Sequence, residues 1–419
     1  MNKLKAFVAV AVVAAVAVIG ALAAFAAGNG TAGGSQAARQ DVHSMHSHSM
    51  HSTSTTTGAA SKAVALRITL DRLLGEHALL AIQVTQRGYS GGADFDAVAK
   101  RLDANSVALS RAVASVYGSA AGKEFLNGKF LWRDHIRFFV QYTQALAKND
   151  AEGQRAAVAK LMTYVQTQAA FFAKATALPR KALVNDLTAH ILQLKGQLDA
   201  YAKGNYARSY ALAHAAYGHM FMTGDALAGA IAKQKHLGST TSKAANLQVA
   251  LDQLLGEHAY LATWATQAGV SSGKNFPALA KQLDRNSVAL SKAIASIYGR
   301  AAGKKFLDGN LLWRDHIRFF VDYTIGTAKG DAAARNKAVA NLMSYVQTQA
   351  AFFSGAIDLP KQVLVNDLTA HVLQLKGALD AYHAKQYGRT FALVDAAYAH
   401  MYMTGAALAG GIAKQKGLS

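Results

Sequence analysis

Cysteine is absent from all 419 residues, which excludes disulfide staples and thiolate metal sites. Any metal must therefore be held by His, Met, Asp, Glu or Tyr. Proline is nearly absent too, with three residues in the chain, so little interrupts helix. Alternating strand patterns, Gly-rich phosphate loops and nucleophile motifs are all missing. The chain thus reads as helical and carries no recognisable catalytic motif. Lys and Arg give a formal net charge of +20 but are scattered along helical segments without interleaved aromatics. That distribution excludes a specific nucleic-acid interface, and it fits contact with an anionic envelope polymer or lipid surface.

Long apolar runs are also scarce, with one exception. A basic start at Lys3 and Lys5 precedes an apolar stretch from Ala6 to Ala27 that breaks at Gly28. Residues 1–27 therefore read as a signal peptide or an N-terminal anchor. Export to a periplasmic or extracellular location follows, with the chain either released or held at the membrane by this segment. Residues 28–61 form a Ser, Thr and Gly linker around the run HSMHSHSMHS, which carries His43, Met45, His46, His48, Met50 and His51. His-rich tracts bind metal, and the thioethers favour copper over zinc.

What is present in quantity is repetition. Residues 66–237 realign without a gap on 247–418 at an offset of 181, as WRDHIRFFV at Trp132 and Trp313 shows. Two domains follow, 62–238 and 243–419. In the first copy Leu66, Leu70, Leu73, His77, Leu80 and Val84 recur at helical spacing. Breakers such as GYSGG, AKND and ALPR cut the copy into about six helices, at roughly 62–87, 94–117, 123–147, 152–177, 180–202 and 205–235. The expected fold is all-α, two tandem up-down antiparallel bundles. Each is a six-helix unit that a four-helix core with an added hairpin could provide.

One polar residue interrupts most of the apolar seams: His77, Asn105, His135, His190 and His219, with Tyr164 on the fourth helix. Counting to the helix ends places them within about four residues of one height, roughly 6 Å of rise. The duplicates are His258, Asn286, His316, His371 and His400. Histidines converging inside a bundle suit copper, zinc, iron or nickel. Met222 and Met403 stand one turn after His219 and His400, on the same helix face, as further thioether ligands. Glu76, Asp134 and Asp186, with Glu257, Asp315 and Asp367, are placed to orient the histidines through hydrogen bonds, together with Asn105 and Asn286. A hydrogen-bonded layer that only fixes helix register is the competing reading.

The EH pair at Glu76 and His77, the RDH run from Arg133 to His135 and the late His-x-x-Met of His219 and Met222 occur in both copies. On these elements the chain resembles a little-characterised group of exported bacterial helical-bundle proteins. The resemblance implies the bundle and no particular activity. The functional expectation is a metal-binding protein of the cell envelope that sequesters or hands over copper, with zinc, iron or haem as other occupants. A structural or adhesive envelope module, and a bundle that holds haem through two histidines, are the alternatives. The sequence leaves the oligomeric state open.

Overall fold

The computed structural model describes residues 61–418. Among them every regular element is an α-helix, seven per copy. The first copy contains α1 (Lys62–Ser90), α2 (Phe95–Tyr117), α3 (Ser119–Asn127), α4 (Trp132–Ala147), α5 (Ala151–Thr176), α6 (Arg180–Ala202) and α7 (Tyr206–Gln234). The second repeats it as α8 (Lys243–Val270), α9 (Phe276–Tyr298), α10 (Arg300–Asp308), α11 (Trp313–Lys329), α12 (Ala332–Ala356), α13 (Lys361–His383) and α14 (Tyr387–Lys416). Among the described residues no helix is long and apolar enough to cross a membrane. The proposed signal and the His/Met linker lie outside the described residues.

The helix expected over 123–147 is two helices. Gly128 ends α3 by donating its N–H to Glu124 O, and a Cβ there would stand 2.6 Å from that carbonyl. The chain then turns through Phe130 at φ 56°. Asp134 stabilises the restart by accepting from Phe130 N at 2.7 Å, and Leu311 N and Asp315 repeat the bond at 2.7 Å. His135 thus sits in the first turn of α4 rather than halfway along a long helix.

Helix α1 also departs from the one-sided seam. Every residue from Leu73 to Gln86 is buried, the pattern of a helix enclosed on all sides. It packs against α2, α4, α6 and α7, and α8 does the same in the second copy. Ser61 caps α1 through Val64 N, and Ser242 caps α8 through Ala245 N.

The two copies form one compact unit. Their contact is reciprocal: α7 packs on α9, α14 packs on α2, and α1 meets α8. Such an exchange of like surfaces is isologous, as in a twofold dimer. Gly75 and Gly256 permit the approach. A Cβ at Gly75 would stand 3.0 Å from the Tyr398 hydroxyl of the other copy, and one at Gly256 would stand 2.8 Å from the Tyr217 hydroxyl of the other copy.

Candidate functional site

At the centre of the first copy His77 of α1 and His135 of α4 meet Nε2 to Nε2 at 3.2 Å. His258 and His316 repeat the contact at 3.3 Å. His135 stacks on Tyr164 of α5 at 4.6 Å between ring centroids. On the other side His77 lies 6.2 Å from His190 of α6, which lies 6.3 Å from His219 of α7. The four expected histidines therefore form a row through the bundle, ordered His135, His77, His190, His219. Trp132 covers it, 4.7 Å from His77 and 4.9 Å from His135, and its indole N–H reaches Ser106 Oγ at 3.3 Å.

The inner three histidines are shut from water, at 0%, 2% and 4% exposure for His77, His135 and His190. Burial, reinforced by each other's proximity, pushes His77 and His190 well below the usual imidazole value and His135 to about 3. The second copy behaves alike, with His316 at about 3. All six are neutral at ordinary pH, the form that binds metal. His219 differs. Its Nε2 lies 3.1 Å from Asp186 O and 3.2 Å from Asp186 Oδ1, and this pairing raises its pKa. Thr223 holds the same carboxylate, donating to both oxygens at 3.1 and 3.0 Å. His400, Asp367 and Thr404 repeat the arrangement.

Several atoms of the row lack partners: His77 Nδ1, His135 Nδ1, both nitrogens of His190, and both amide atoms of Gln168. His258, His316, His371 and Gln349 leave the corresponding positions unpaired, save for His371 Nε2. A cavity of about 30 Å³ adjoins His258 and His316, walled by Ala262, Phe276, Phe320 and Leu375. An unpaired buried polar atom costs about 1–3 kcal/mol, so the row has capacity for a polar guest.

Other expected members lie elsewhere. Glu76 orients no histidine: it accepts from Asn105 Nδ2 at 3.0 Å and faces the Asp395 carboxyl of the other copy. Glu257 accepts from Asn286 at 3.0 Å and pairs with His214 of the first copy at 2.7 Å. These glutamates follow from the helix geometry, because a residue adjacent to a buried histidine points about 100° away. Asp134 and Asp315 accept from the turn N–H groups of Phe130 and Leu311 and pair with Arg137 and Arg318. Met222 and Met403 are 62% and 60% exposed, so they line the surface while His219 and His400 turn inward. Asp186 and Asp367 are the carboxylates that do meet histidines. His43, Met45, His46, His48, Met50 and His51 lie outside the described residues.

Gln168, placed by helical spacing one turn after Tyr164 at the height of the layer, is fully buried with both amide atoms unpaired. Sequence reasoning missed the buried carboxyls Asp71 and Asp252, each pushed up to about 8 mainly by burial. Among the described residues no set of three or more His, Asp or Glu side chains is arranged to hold a metal ion. The separation of the paired nitrogens is informative, because two nitrogens each about 2.0 Å from a tetrahedral ion stand about 3.3 Å apart. The same distance also suits a single N–H···N hydrogen bond. Haem is a poor fit, since the paired imidazoles touch and a macrocycle between them would force α1 and α4 apart.

No family model matches the chain, and no match was found among curated proteins or solved structures.

Proposed function

We propose that this protein binds a metal ion, copper by preference, in the interior histidine row of each copy, and that it sequesters or hands on the ion in the cell envelope. The observation that carries this reading is the Nε2 pair of His77 and His135, set at 3.2 Å beside His190, neither of whose nitrogens has a partner. Neutral imidazole suits both copper oxidation states. The paired nitrogens supply two ligands, and rotation of the His190 ring toward His77 supplies a third. The His/Met run at 43–51 captures the ion first, and its methionines are what favour copper over zinc. A basic surface then keeps the molecule at an anionic polymer or lipid face.

Equilibrium dialysis of the chain lacking residues 43–51 against Cu(I), Cu(II) and Zn(II) tests the interior sites. Two ions per chain are expected, falling to none in the His135→Gln, His316→Gln double variant, whose amides preserve hydrogen bonding. Unchanged stoichiometry in that variant would sink the reading.

A second reading, a purely structural layer, is favoured by the hydrogen-bond distance of the pair and by the lack of a three-residue cluster among the described residues. It expects no bound ion in either chain. It also expects His135→Leu to destabilise by about 1–3 kcal/mol through the nitrogen left bare on His77.

A further inference from the structure

The second copy contains an apolar pocket of about 440 Å³ between α8, α9, α10, α12 and α14. Its walls include Leu290, Ile294, Ile297, Phe306, Phe353 and Ile412. The volume lies in the range of small-molecule sites. The same place in the first copy holds only about 40 Å³, so the duplication supplies an internal control.

The difference has identifiable causes. In the first copy Phe172 is 8% exposed and seals the space. Thr176 beside it donates to Phe172 O at 2.7 Å and finishes the helix. In the second copy Thr176 is replaced by Ile357, an extended residue that ends α12 one position earlier, and Phe353 is only half-buried. Lys174 is replaced by Gly355, where even a Cβ would meet nothing within 4 Å. One residue of the wall has also changed sign. Lys305 stands where the first copy has Glu124, with its Nζ 6.0 Å from the Phe352 ring of the wall. Lys416 Nζ lies 4.7 Å over the ring of Tyr298, another wall residue, as Lys235 lies 4.9 Å over Tyr117 in the first copy.

From the enlarged apolar interior and the lysine that replaces Glu124 at its wall we infer that this pocket binds a long-chain amphiphile with an anionic head, of the fatty-carboxylate class. The chain packs among the leucine, isoleucine and phenylalanine side chains, and the carboxylate meets Lys305. The first copy, closed and with an acid at the corresponding place, does not bind it. The site is separate from the histidine row, and its failure would leave the metal reading untouched.

Isothermal titration of the purified full chain with monomeric dodecanoate, dodecanol and dodecyltrimethylammonium tests this. One equivalent of dodecanoate is expected, bound about tenfold or more tighter than dodecyltrimethylammonium. Lys305→Glu should weaken dodecanoate about fivefold and leave dodecanol unchanged, the scale of one exposed charge pair. Ala293→Trp should fill the cavity and remove both. If circular dichroism shows that variant misfolded, Ala302→Phe carries the test, because Ala302 is a half-buried wall residue from which a ring enters the cavity, and it should still weaken both dodecanoate and dodecanol. No binding, two equivalents, or affinity indifferent to both Ala302→Phe and Lys305→Glu would overturn the proposal. Binding to phosphatidylglycerol vesicles with none to monomeric dodecanoate would also overturn it, assigning the affinity to a membrane surface instead.

Discussion

The two copies keep one region alike and let two others diverge. Their histidine rows agree to 0.1 Å at the Nε2 pair, 3.2 against 3.3 Å, and bury the same residues. Their pockets and their mutual interface do not agree. At the interface position 214 is histidine and pairs with Glu257, while its duplicate, Asp395, faces Glu76. A closed interior layer must satisfy itself within one copy, so a single change there strands a neighbour. An interface between covalently joined copies has no such symmetry requirement, and each side can specialise.

If the rows are equivalent, acid should act on both at once, and this is the largest effect expected. In metal-free protein the six inner imidazoles are neutral when folded, and each takes up a proton near pH 6.5 when unfolded. They contribute stability above that pH, and it is lost as pH falls toward the lowered folded values, about 3 for His135 and His316. Asp71, Glu76 and Asp252, pushed up to about 8, work the other way. The folded chain retains their protons, so that contribution is present below about pH 4 and declines as pH rises through about 8. The melting temperature should therefore peak near pH 6.5, where about half of six unfolded imidazoles are protonated and balance three buried carboxyls. Acid unfolding should be a single transition. A melting temperature that climbs steadily from pH 6.5 to 9, or two separate acid transitions, would break the picture of equivalent rows in one unit.

A smaller effect probes the contact itself. Gly75→Ala and Gly256→Ala each place a methyl group against aromatic side chains of α7 and α14, with the tyrosine hydroxyl of the other copy 3.0 and 2.8 Å away. Overpacking of this kind costs about 1–3 kcal/mol. The two losses should be similar because the contact is reciprocal, and the double variant should cost less than their sum, since both crowd Tyr217 and Tyr398. Thermal unfolding of the three variants decides it. A loss confined to one glycine would show that one side of the contact is slack.

Much of this was legible in the sequence. The duplication, the all-helical class and the inward turn of His77, His135, His190 and His219 follow from repeat length and 3.6-residue spacing. The break at Gly128 was less visible, because GKFLW carries no proline, and only the Phe130 turn with its bond to Asp134 divides the segment. Glu76 was misassigned for a related reason. Spacing places a residue on a face but does not say whether that face looks toward the bundle axis or a second copy. Enclosure of α1 on all sides depends on that second copy, and nothing in an 11-residue window encodes it. Exposure of Met222 had the same origin, since His219 is drawn inward by Asp186, on another helix.

The smallest effect, and the one with opposite signs in the two copies, concerns the interface glutamates. Glu76 Oε1 has no donor of its own and faces the Asp395 carboxyl, while Arg101 pairs with Asp395 on its outer side. Burial, with the Asp395 carboxyl beside it, pushes Glu76 up to about 8. Glu76→Gln removes that conflict and keeps the Asn105 contact, so relative to wild type the variant should gain stability progressively as pH rises from about 4.5 to about 8, with a smaller gain at pH 6 than at pH 9. Glu257 instead accepts from His214, whose side chain is about half exposed. Glu257→Gln should cost about 1 kcal/mol below the raised pKa of His214, the modest figure reflecting solvent screening, and the loss should fade once His214 is neutral. Denaturant melts of both variants at pH 6 and 9 read the difference. A loss of equal size in both at pH 6 would show that the two glutamates play one structural role, and that the substitution at 214 and 395 has no consequence.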